Sequence, residues 1–197
     1  LPHERIATFD TDLLVNYRAN RPVMVFDEWQ FTDLAMPEIA IELLRDDEGT
    51  PVLLLHGPEP DHRWEGFVKG VTDVIERYGV TMTILTQGIP MGVPHTRPVH
   101  TIMHGSRKDL LGETPEMWGA MQVPAQVSQV LEYRLGQQGR DAVGITAAVP
   151  HYLATNSYPA AAAALIRKAA QVGDLALPIG ELEAAAASIG TEIAEQV

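Results

Sequence analysis

The clearest hydrophobic pattern in the chain predicts a β-hairpin near residue 45. Between residues 38 and 43, isoleucine or leucine occupies every second position and alternates with glutamate and alanine, which is the period of a half-buried strand. The turn-forming sequence 46–49 follows, and 51–55 is a compact apolar run. Two such runs around a short polar turn predict an antiparallel pair of strands.

Helical spacing replaces this alternation in the next segment. Apolar residues recur at helical intervals from Trp64 to Tyr78, Asp61 is available to cap the first turn, and Gly79 ends the pattern. The segment 81–85 is again β-branched and apolar. Residues 51–85 therefore predict a strand, a helix and a second strand joined by a right-handed parallel crossover.

The remaining periodic segments extend this alternation of strands and helices. Strands are predicted at 6–9, 21–26, 99–103 and 141–149, and helices at 124–136, 159–172 and 180–195. Strands separated by helices of this length indicate an α/β sheet covered on both faces, widened by the hairpin. We expect one α/β/α domain over residues 1–173 and a helical appendage over 174–197.

Composition narrows the classes of partner. The chain has 197 residues, and its 26 acidic against 14 basic residues give a net charge of −12, so a basic stripe for nucleic acid is not expected. There is no cysteine, which rules out disulfides and cysteine-bound zinc. The longest apolar run, Ala160–Ile166, is far shorter than the ~20 residues that span a bilayer. We predict a cytoplasmic protein that binds neither nucleic acid nor membranes.

Polar residues collect in the loops after the predicted strands, where α/β proteins place their ligands. The candidates for ligand binding are Glu59, Asp61, His95, Thr96, Arg97, His104, His151 and Tyr152. These loops form either a functional cleft or ordinary surface and subunit contacts. Arg97 is either an anion holder or part of a structural ion pair. Asp61 is better explained as the helix cap.

The chain lacks the motifs of the common catalytic and cofactor sites. It has no nucleophile elbow, no Walker loop and no glycine-rich dinucleotide motif after a strand. Ser106, close to His104 and Arg107, is the one serine worth testing as a nucleophile. The histidine spacings match no standard metal site. We therefore expect no cofactor and no bound metal, and we favour binding over catalysis.

Several large apolar residues fall outside every predicted core face. They are Trp29, Met117, Trp118 and Met121 in polar surroundings, and Leu182, Ile189 and Ile193 on one side of the last helix. Such residues form either a subunit interface, where Trp and Met are enriched, or a satellite core cluster. The interface interpretation predicts that the protein associates with itself.

Three motifs together resemble the actinobacterial branch of the PAC2 family, the proteasome-assembly-chaperone-like proteins. The motifs are Gly57-Pro58-Glu59-Pro60-Asp61, the segment 88–98 with Pro94-His95-Thr96-Arg97-Pro98, and Val149-Pro150-His151-Tyr152. The resemblance covers about residues 6–172. It implies a three-layer α/β/α sandwich of the purine nucleoside phosphorylase type, and a homo-oligomer with three copies as the expected number.

Two departures from the family pattern affect what is carried over. Family members open with a strand and a glycine-containing turn into a first helix, and we expect from the resemblance that Leu1 lies past that unit. Eukaryotic relatives that act on proteasomes resemble one another in a C-terminal tail with a penultimate tyrosine. This chain ends in Glu195-Gln196-Val197, so docking to the proteasome through such a tail is not expected.

We therefore expect a non-catalytic, homo-oligomeric protein with a binding or assembly role similar to that of a chaperone. The partner is another copy of the chain, and a different protein is a further candidate. The main alternative is a small-molecule enzyme, phosphorylase-like or hydrolase-like, or a ligand-binding protein with its cleft at the strand ends. Convergence of His95, Arg97 and His151 in one cavity would favour that alternative.

Overall fold

A computed structural model describes residues 2–112 and 119–196, with side chains as far as residue 189. These residues form eight β-strands and five α-helices. The strands are β1 His3–Phe9, β2 Val23–Asp27, β3 Gln30–Ala35, β4 Ile39–Arg45, β5 Pro51–His56, β6 Met82–Met91, β7 Thr101–Gly105 and β8 Asp141–Pro150. The helices are α1 Thr11–Leu14, α2 Trp64–Tyr78, α3 Val127–Gln137, α4 Pro159–Gly173 and α5 Gly180–Gln196. The protein is therefore a mixed α/β protein, as the sequence predicts.

The chain divides into two compact units. The first contains residues 1–45, 51–79 and 125–130, and the second contains 46–50, 80–124 and 131–197. The first unit holds a three-stranded sheet in the order β1-β4-β5 and the separate two-stranded sheet β2-β3. The second unit holds a three-stranded sheet in the order β6-β8-β7.

Strand β4 is the middle strand of the first sheet. It pairs antiparallel with β1 on one side and with β5 on the other, which confirms the predicted hairpin. The half-buried pattern predicted for β4 is wrong, because Ile39 through Glu42 are all buried. A strand with neighbours at both edges and packing on both faces buries polar as well as apolar positions, and Glu42 is the result.

Strand β8 has the corresponding middle position in the second unit. It pairs parallel with β6 over ten residues and antiparallel with β7. Residues 142–148 are buried without interruption, and Val143, Ile145 and Ala147 are fully inaccessible to solvent. A continuous apolar run of this kind is typical of a strand covered on both faces.

The parallel crossover predicted for residues 51–85 does not form a single sheet. β5 and β6 belong to different three-stranded sheets, and β6 forms its parallel ladder with β8 instead. The short turn after β4 explains why β5 pairs with β4, because closing a tight antiparallel hairpin costs little chain entropy. The helical period of residues 64–78 correctly predicts α2 but does not identify the partner of the strand that follows it.

The ends of the helices follow the predicted signals at some positions and not at others. Gly79 ends α2 with φ +64°, and Pro159 opens α4. The predicted cap of α2 is wrong: the capping position is Arg63, and no side chain bonds the first turn. Asp61 instead accepts hydrogen bonds from the backbone N–H of Asn16 and from the side-chain amide of Asn20. Its carboxylate is thus committed to the loop after α1.

None of the helices in the described part of the chain is both long enough and apolar enough to cross a lipid bilayer.

Candidate functional site

Two of the predicted site histidines lie at the carboxyl edge of the second sheet. The parallel pairing of β6 and β8 ends at Met91 and Pro150, so the loops that follow start side by side. The Tyr152 hydroxyl contacts both the backbone N–H of His95, at 2.9 Å, and the Nδ1 atom of His95, at 2.8 Å. The Tyr152 ring also stacks edge-on against His95 and against His151. The structure thus brings His95 and His151 together at one edge of this sheet, whereas Glu59, which the predicted parallel sheet would place beside them, follows β5 in a different sheet.

Much of the hydrogen-bonding capacity of Tyr152 and His95 is used in bonds between these two residues. The Tyr152 hydroxyl accepts a hydrogen bond from the backbone N–H of His95 and forms a second hydrogen bond with the Nδ1 atom of the same residue. Together these two bonds hold the loop that carries Thr96 and Arg97. His151, Tyr152, Thr96 and Arg97 are exposed, and His95 is half-buried. The arrangement offers imidazole and guanidinium groups to a surface ligand, and the contacts of the described residues bring no carboxylate, serine or threonine hydroxyl to the two imidazoles.

His104 lies at the other end of the same sheet. Because β7 runs antiparallel to β8, the residues that end β7 lie beside the start of β8, where Arg107 pairs with Asp141. The expectation that this loop joins the His95 loop is therefore wrong. The sequence predicts a strand at 99–103 correctly within two residues, but its direction depends on a pairing that no local pattern encodes.

His104 forms a specific pair with a residue that the sequence does not single out. Its Nδ1 atom lies 2.9 Å from Oε1 of Glu132 on α3. The imidazole lies directly over Gly144, where a Cβ atom would stand 2.0 Å from its Cε1 atom. The other carboxylate oxygen of Glu132 is buried and bonds to none of the described residues. The hydrogen bond to Glu132 raises the pKa of His104, against the opposing effect of burial.

Glu59 and Asp61 have structural partners within the first unit. The Glu59 carboxylate accepts the backbone N–H of Val127 at 2.7 Å, in the first turn of α3, where an acidic side chain is favoured by the helix dipole. Asp61 binds the loop containing Asn16 and Asn20. These contacts account for the two carboxylates of the Gly57–Asp61 motif without a ligand.

Sequence patterns missed a charged cluster on the first sheet. Arg5 on β1 donates two hydrogen bonds of 2.9 Å to the buried carboxylate of Glu42 and also pairs with Glu38. His56 on β5 lies 3.6 Å from the same Glu42 oxygen. The bonds from Arg5 lower the pKa of Glu42. Arg5 lies directly opposite Glu42 in the pairing of β1 with β4. This pair of opposite charges can be recognised only when the register of the two strands is known.

The most exposed apolar surface of the described residues is the β2-β3 hairpin. The four side chains on one of its faces are all exposed, namely Met24, Phe26, Phe31 and Leu34, and Trp29 at the turn is 75% exposed. Val23 and Val25 on the other face are exposed as well. We call residues 23–35 the hairpin surface. Its turn places Glu28 at φ +49° without a glycine or asparagine, which explains why the sequence predicts a single extended segment here.

The other predicted interface residues differ in how exposed they are. Met121 is exposed, whereas Leu182 and Ile189 on α5 are half-buried, and α5 packs along α4 with an ion pair between Arg167 and Glu183. Met117 and Trp118 lie outside the described residues, and Ile193 lies outside those whose side chains are described. Trp29 and Met121 are thus the two candidates with a freely accessible apolar side chain.

Within residues 2–112 and 119–189, no three His, Asp or Glu side chains are grouped closely enough to hold a metal ion.

Comparisons with solved structures place the chain among bacterial proteins of one type. A Mycobacterium tuberculosis protein of unknown function is 44% identical, with a TM-score of 0.97 over 100% of this chain and 68% of its own. A Corynebacterium glutamicum protein of unknown function is 38% identical, with a TM-score of 0.93 over 100% of this chain and 73% of its own. A proteasome-assembly chaperone homologue from M. tuberculosis is 27% identical, with a TM-score of 0.87 over 99% of this chain and 83% of its own.

The family model agrees with the motifs in the loops. No curated protein matches the chain. The model of the PAC2 family matches residues 1–197, the whole length of the sequence. The resemblance carried by the Gly57–Asp61, Pro94–Pro98 and Val149–Tyr152 segments is therefore confirmed, and the chain belongs to the PAC2 family.

Proposed function

We propose that this protein is a non-catalytic assembly factor, similar to a chaperone, that works as a homo-oligomer and binds other protein chains. The observation that carries the proposal is the hairpin surface. Its two strands expose apolar side chains on both faces, and Trp29 projects from its turn. Exposed apolar patches of this kind mark protein contacts, and tryptophan is the residue most enriched at their energetic centres.

The strand-end cluster supports binding over catalysis. Tyr152 and His95 bond to each other, and Glu59 and Asp61 are held by backbone and amide groups. A general base needs a substrate proton within reach and a nucleophile needs an adjacent base, and neither arrangement occurs among these residues.

Related structures support a protein partner. The 27% identical M. tuberculosis structure is a proteasome-assembly chaperone homologue. From that relative we propose that the partner class is a protein assembly. We further propose a three-layer sandwich of the purine nucleoside phosphorylase type, a three-chain assembly, a cytoplasmic location, and the division into residues 1–173 and 174–197.

Self-association is tested by light scattering at micromolar concentrations. We expect a mass of about 65 kDa, three times the 21.5 kDa of one chain, or a multiple of it. A mass of about 43 kDa would contradict the three-chain assembly and retain self-association. A constant mass of 21.5 kDa across that range would contradict the proposal.

The contribution of the hairpin surface is tested by Trp29→Asp. An aspartate at the turn should weaken any contact that buries Trp29 by about 30-fold or more, since central interface tryptophans contribute about 2 kcal/mol or more. Tyr78→Asp is the matched control, because Tyr78 is also exposed but lies at the end of α2. Equal effects of the two substitutions on the measured mass would show that the hairpin surface has no special role.

A further inference from the structure

We infer that the carboxyl edge of the second sheet binds an acidic segment of a partner protein, through Arg97 and the histidines beside it. The inference deepens the proposed function, because it names the chemistry of the partner, and it rests on that proposal for the partner being a protein. Three observations carry it: the charge of this edge, the lack of ion pairs between its cations and the described carboxylates, and the fixed shape of one of its loops.

Three stretches of chain meet at this edge. The loops after β6 and β8 start side by side, because the parallel ladder of these strands ends at both carboxyl ends together. The first loop carries His95 and Arg97, and the second carries His151. Since β7 runs antiparallel to β8, its start also reaches this edge, where the carbonyl of His100 accepts the backbone N–H of Ala148. We call the following residues the basic edge: His95, Thr96, Arg97, His100, His151 and Tyr152.

The chain segments that build the basic edge carry no acidic residue. Residues 77–108 and 142–173 make up about a third of the chain and contain none of its 26 aspartates and glutamates. The rest of the chain is acidic enough to give the protein a net charge of −12. The basic edge is therefore a positively charged region on a negatively charged protein. Such a contrast directs a partner of opposite local charge to one place on the surface.

The guanidinium of Arg97 is available to a ligand. Other cations of the same unit are paired, since Arg107 binds Asp141 and His104 binds Glu132. Arg97 is exposed, and no carboxylate of the described residues forms an ion pair or a hydrogen bond with it. Of the two roles that the sequence leaves open for Arg97, this favours the anion holder. A guanidinium binds a carboxylate through two parallel hydrogen bonds, which gives both strength and direction.

The loop that carries Arg97 has a fixed shape. The Tyr152 hydroxyl bonds both to the backbone N–H and to the Nδ1 atom of His95, at 2.9 and 2.8 Å. Pro94 and Pro98 bracket the same turn and restrict its backbone. A loop that is ordered before binding loses little conformational entropy when a ligand arrives. Tyr152 is thus a positioning residue that holds Arg97 at the edge of the sheet.

A protein segment fits this edge better than a long polyanion. Tyr152 and Ile89 add exposed apolar surface beside the cations, and aromatic residues and arginine are enriched where proteins meet. A nucleic acid would need a long basic track, and beyond the edge it would meet the negative remainder of the protein. A short acidic segment needs only a few cations, and the basic edge supplies them.

Fluorescence anisotropy with labelled hexaglutamate tests the binding, and labelled hexaglutamine is the uncharged control peptide. We expect the full chain to bind hexaglutamate saturably below about 1 mM and to bind hexaglutamine much more weakly. Arg97→Ala should lower the affinity about tenfold or more, because it removes charge-assisted hydrogen bonds. Arg97→Lys keeps the charge without the fork and should lose less. Arg18→Ala is the matched control, since Arg18 is also exposed but belongs to the first unit.

The positioning role of Tyr152 is tested by Tyr152→Phe, which keeps the ring and removes the hydroxyl. It should lower the affinity for hexaglutamate while leaving the thermal unfolding midpoint close to that of the unmodified protein. In the Tyr152→Phe background, Arg97→Ala should cost less affinity than in the unmodified chain, because the loop no longer holds Arg97 in place. Additive losses would overturn the positioning role.

The outcomes separate this inference from the proposed function. Binding of hexaglutamate that Arg97→Ala weakens and Arg18→Ala leaves unchanged supports the inference. Equal effects of the two substitutions, or no binding below about 1 mM, overturn it, while self-association in light scattering would still support the homo-oligomer. Displacement of hexaglutamate by an equal concentration of inorganic phosphate would identify a small-anion site and overturn the partner segment. A monomeric protein that binds hexaglutamate through Arg97 would overturn the homo-oligomer and support the basic edge.

Discussion

Strands β2 and β8 have similar apolar compositions and opposite environments. β8 is buried along almost its whole length between β6 and β7, whereas every residue of β2 is exposed and, among the described strands, β2 pairs with β3 alone. The apolar content of a strand therefore does not determine its burial in the monomer. Burial is determined by the number of neighbouring strands and by what packs on the two faces of the strand. β2 therefore has exposed apolar surface that a second chain can cover.

The largest difference between the two strands should appear in a matched valine truncation. Val143→Ala on β8 removes a fully buried side chain and should cost about 2–3 kcal/mol of unfolding free energy, from lost burial and a residual cavity. Val25→Ala on β2 removes a side chain that is 48% exposed and should change the stability of the monomer by less than about 0.5 kcal/mol.

Urea unfolding at a concentration where the protein is monomeric measures both variants. Equal losses of stability would mean that Val25 is packed in the monomer as Val143 is, and the contrast between the strands would not hold. At higher concentration, where self-association contributes, Val25→Ala should become the more sensitive of the two to dilution.

A second prediction concerns the close packing around β8. Gly144→Ala introduces a Cβ atom 2.0 Å from the His104 ring and should cost about 1–3 kcal/mol, because the imidazole must leave Glu132 to make room. In a His104→Ala background the same substitution should cost much less. Thermal or urea unfolding of the four proteins in this double-mutant cycle measures the coupling. Additive losses would contradict the described contact.

The smallest expected effect is the pH dependence of the His104–Glu132 pair. Glu132 raises the pKa of His104 in the folded protein above the 6.5 of the unfolded chain. The pair therefore stabilises the protein fully below about pH 6.5, and this contribution is lost as the pH rises through the raised pKa. Unfolding free energies between pH 6 and 9 should fall more steeply in the unmodified protein than in Glu132→Gln.

If the unfolding free energies of the unmodified protein and of Glu132→Gln fall equally steeply with pH, His104 titrates independently of Glu132. The carboxylates with lowered pKa, Glu42, Asp46 and Asp141, lose their stabilising contribution only as the pH falls through their own, lower values. They therefore do not interfere with a measurement above pH 6.

The sequence predicts most elements but not how they pair. Periodicity locates α2, α4 and β8 to within one or two residues, because one face or both faces of these elements must be apolar. It does not reveal that β7 runs antiparallel to β8 and so takes His104 away from His95. Strand direction depends on contacts between residues far apart in the chain, and no local period records them.

The same limit applies to the candidate site, where the positions of the loops are predicted but the partners of the charged side chains are not. The loops after β6 and β8 are correctly placed together, since parallel neighbours share a carboxyl edge. The partners of Glu42 and His104 are missed, because Arg5 and Glu132 lie 37 and 28 residues away in the chain. The β2-β3 hairpin is missed because its turn lacks the glycine or asparagine that usually marks a two-residue connection.

Amide hydrogen exchange at several protein concentrations tests the central claim, that a second chain covers β2, most directly. If a second chain covers the hairpin surface, protection of the peptide 21–36 should rise with concentration through the range of self-association, while protection of 141–150 stays high and constant. Trp29→Asp should shift that rise to about 30-fold higher concentration. Protection of 21–36 that does not depend on concentration, in a protein that self-associates, would contradict the account.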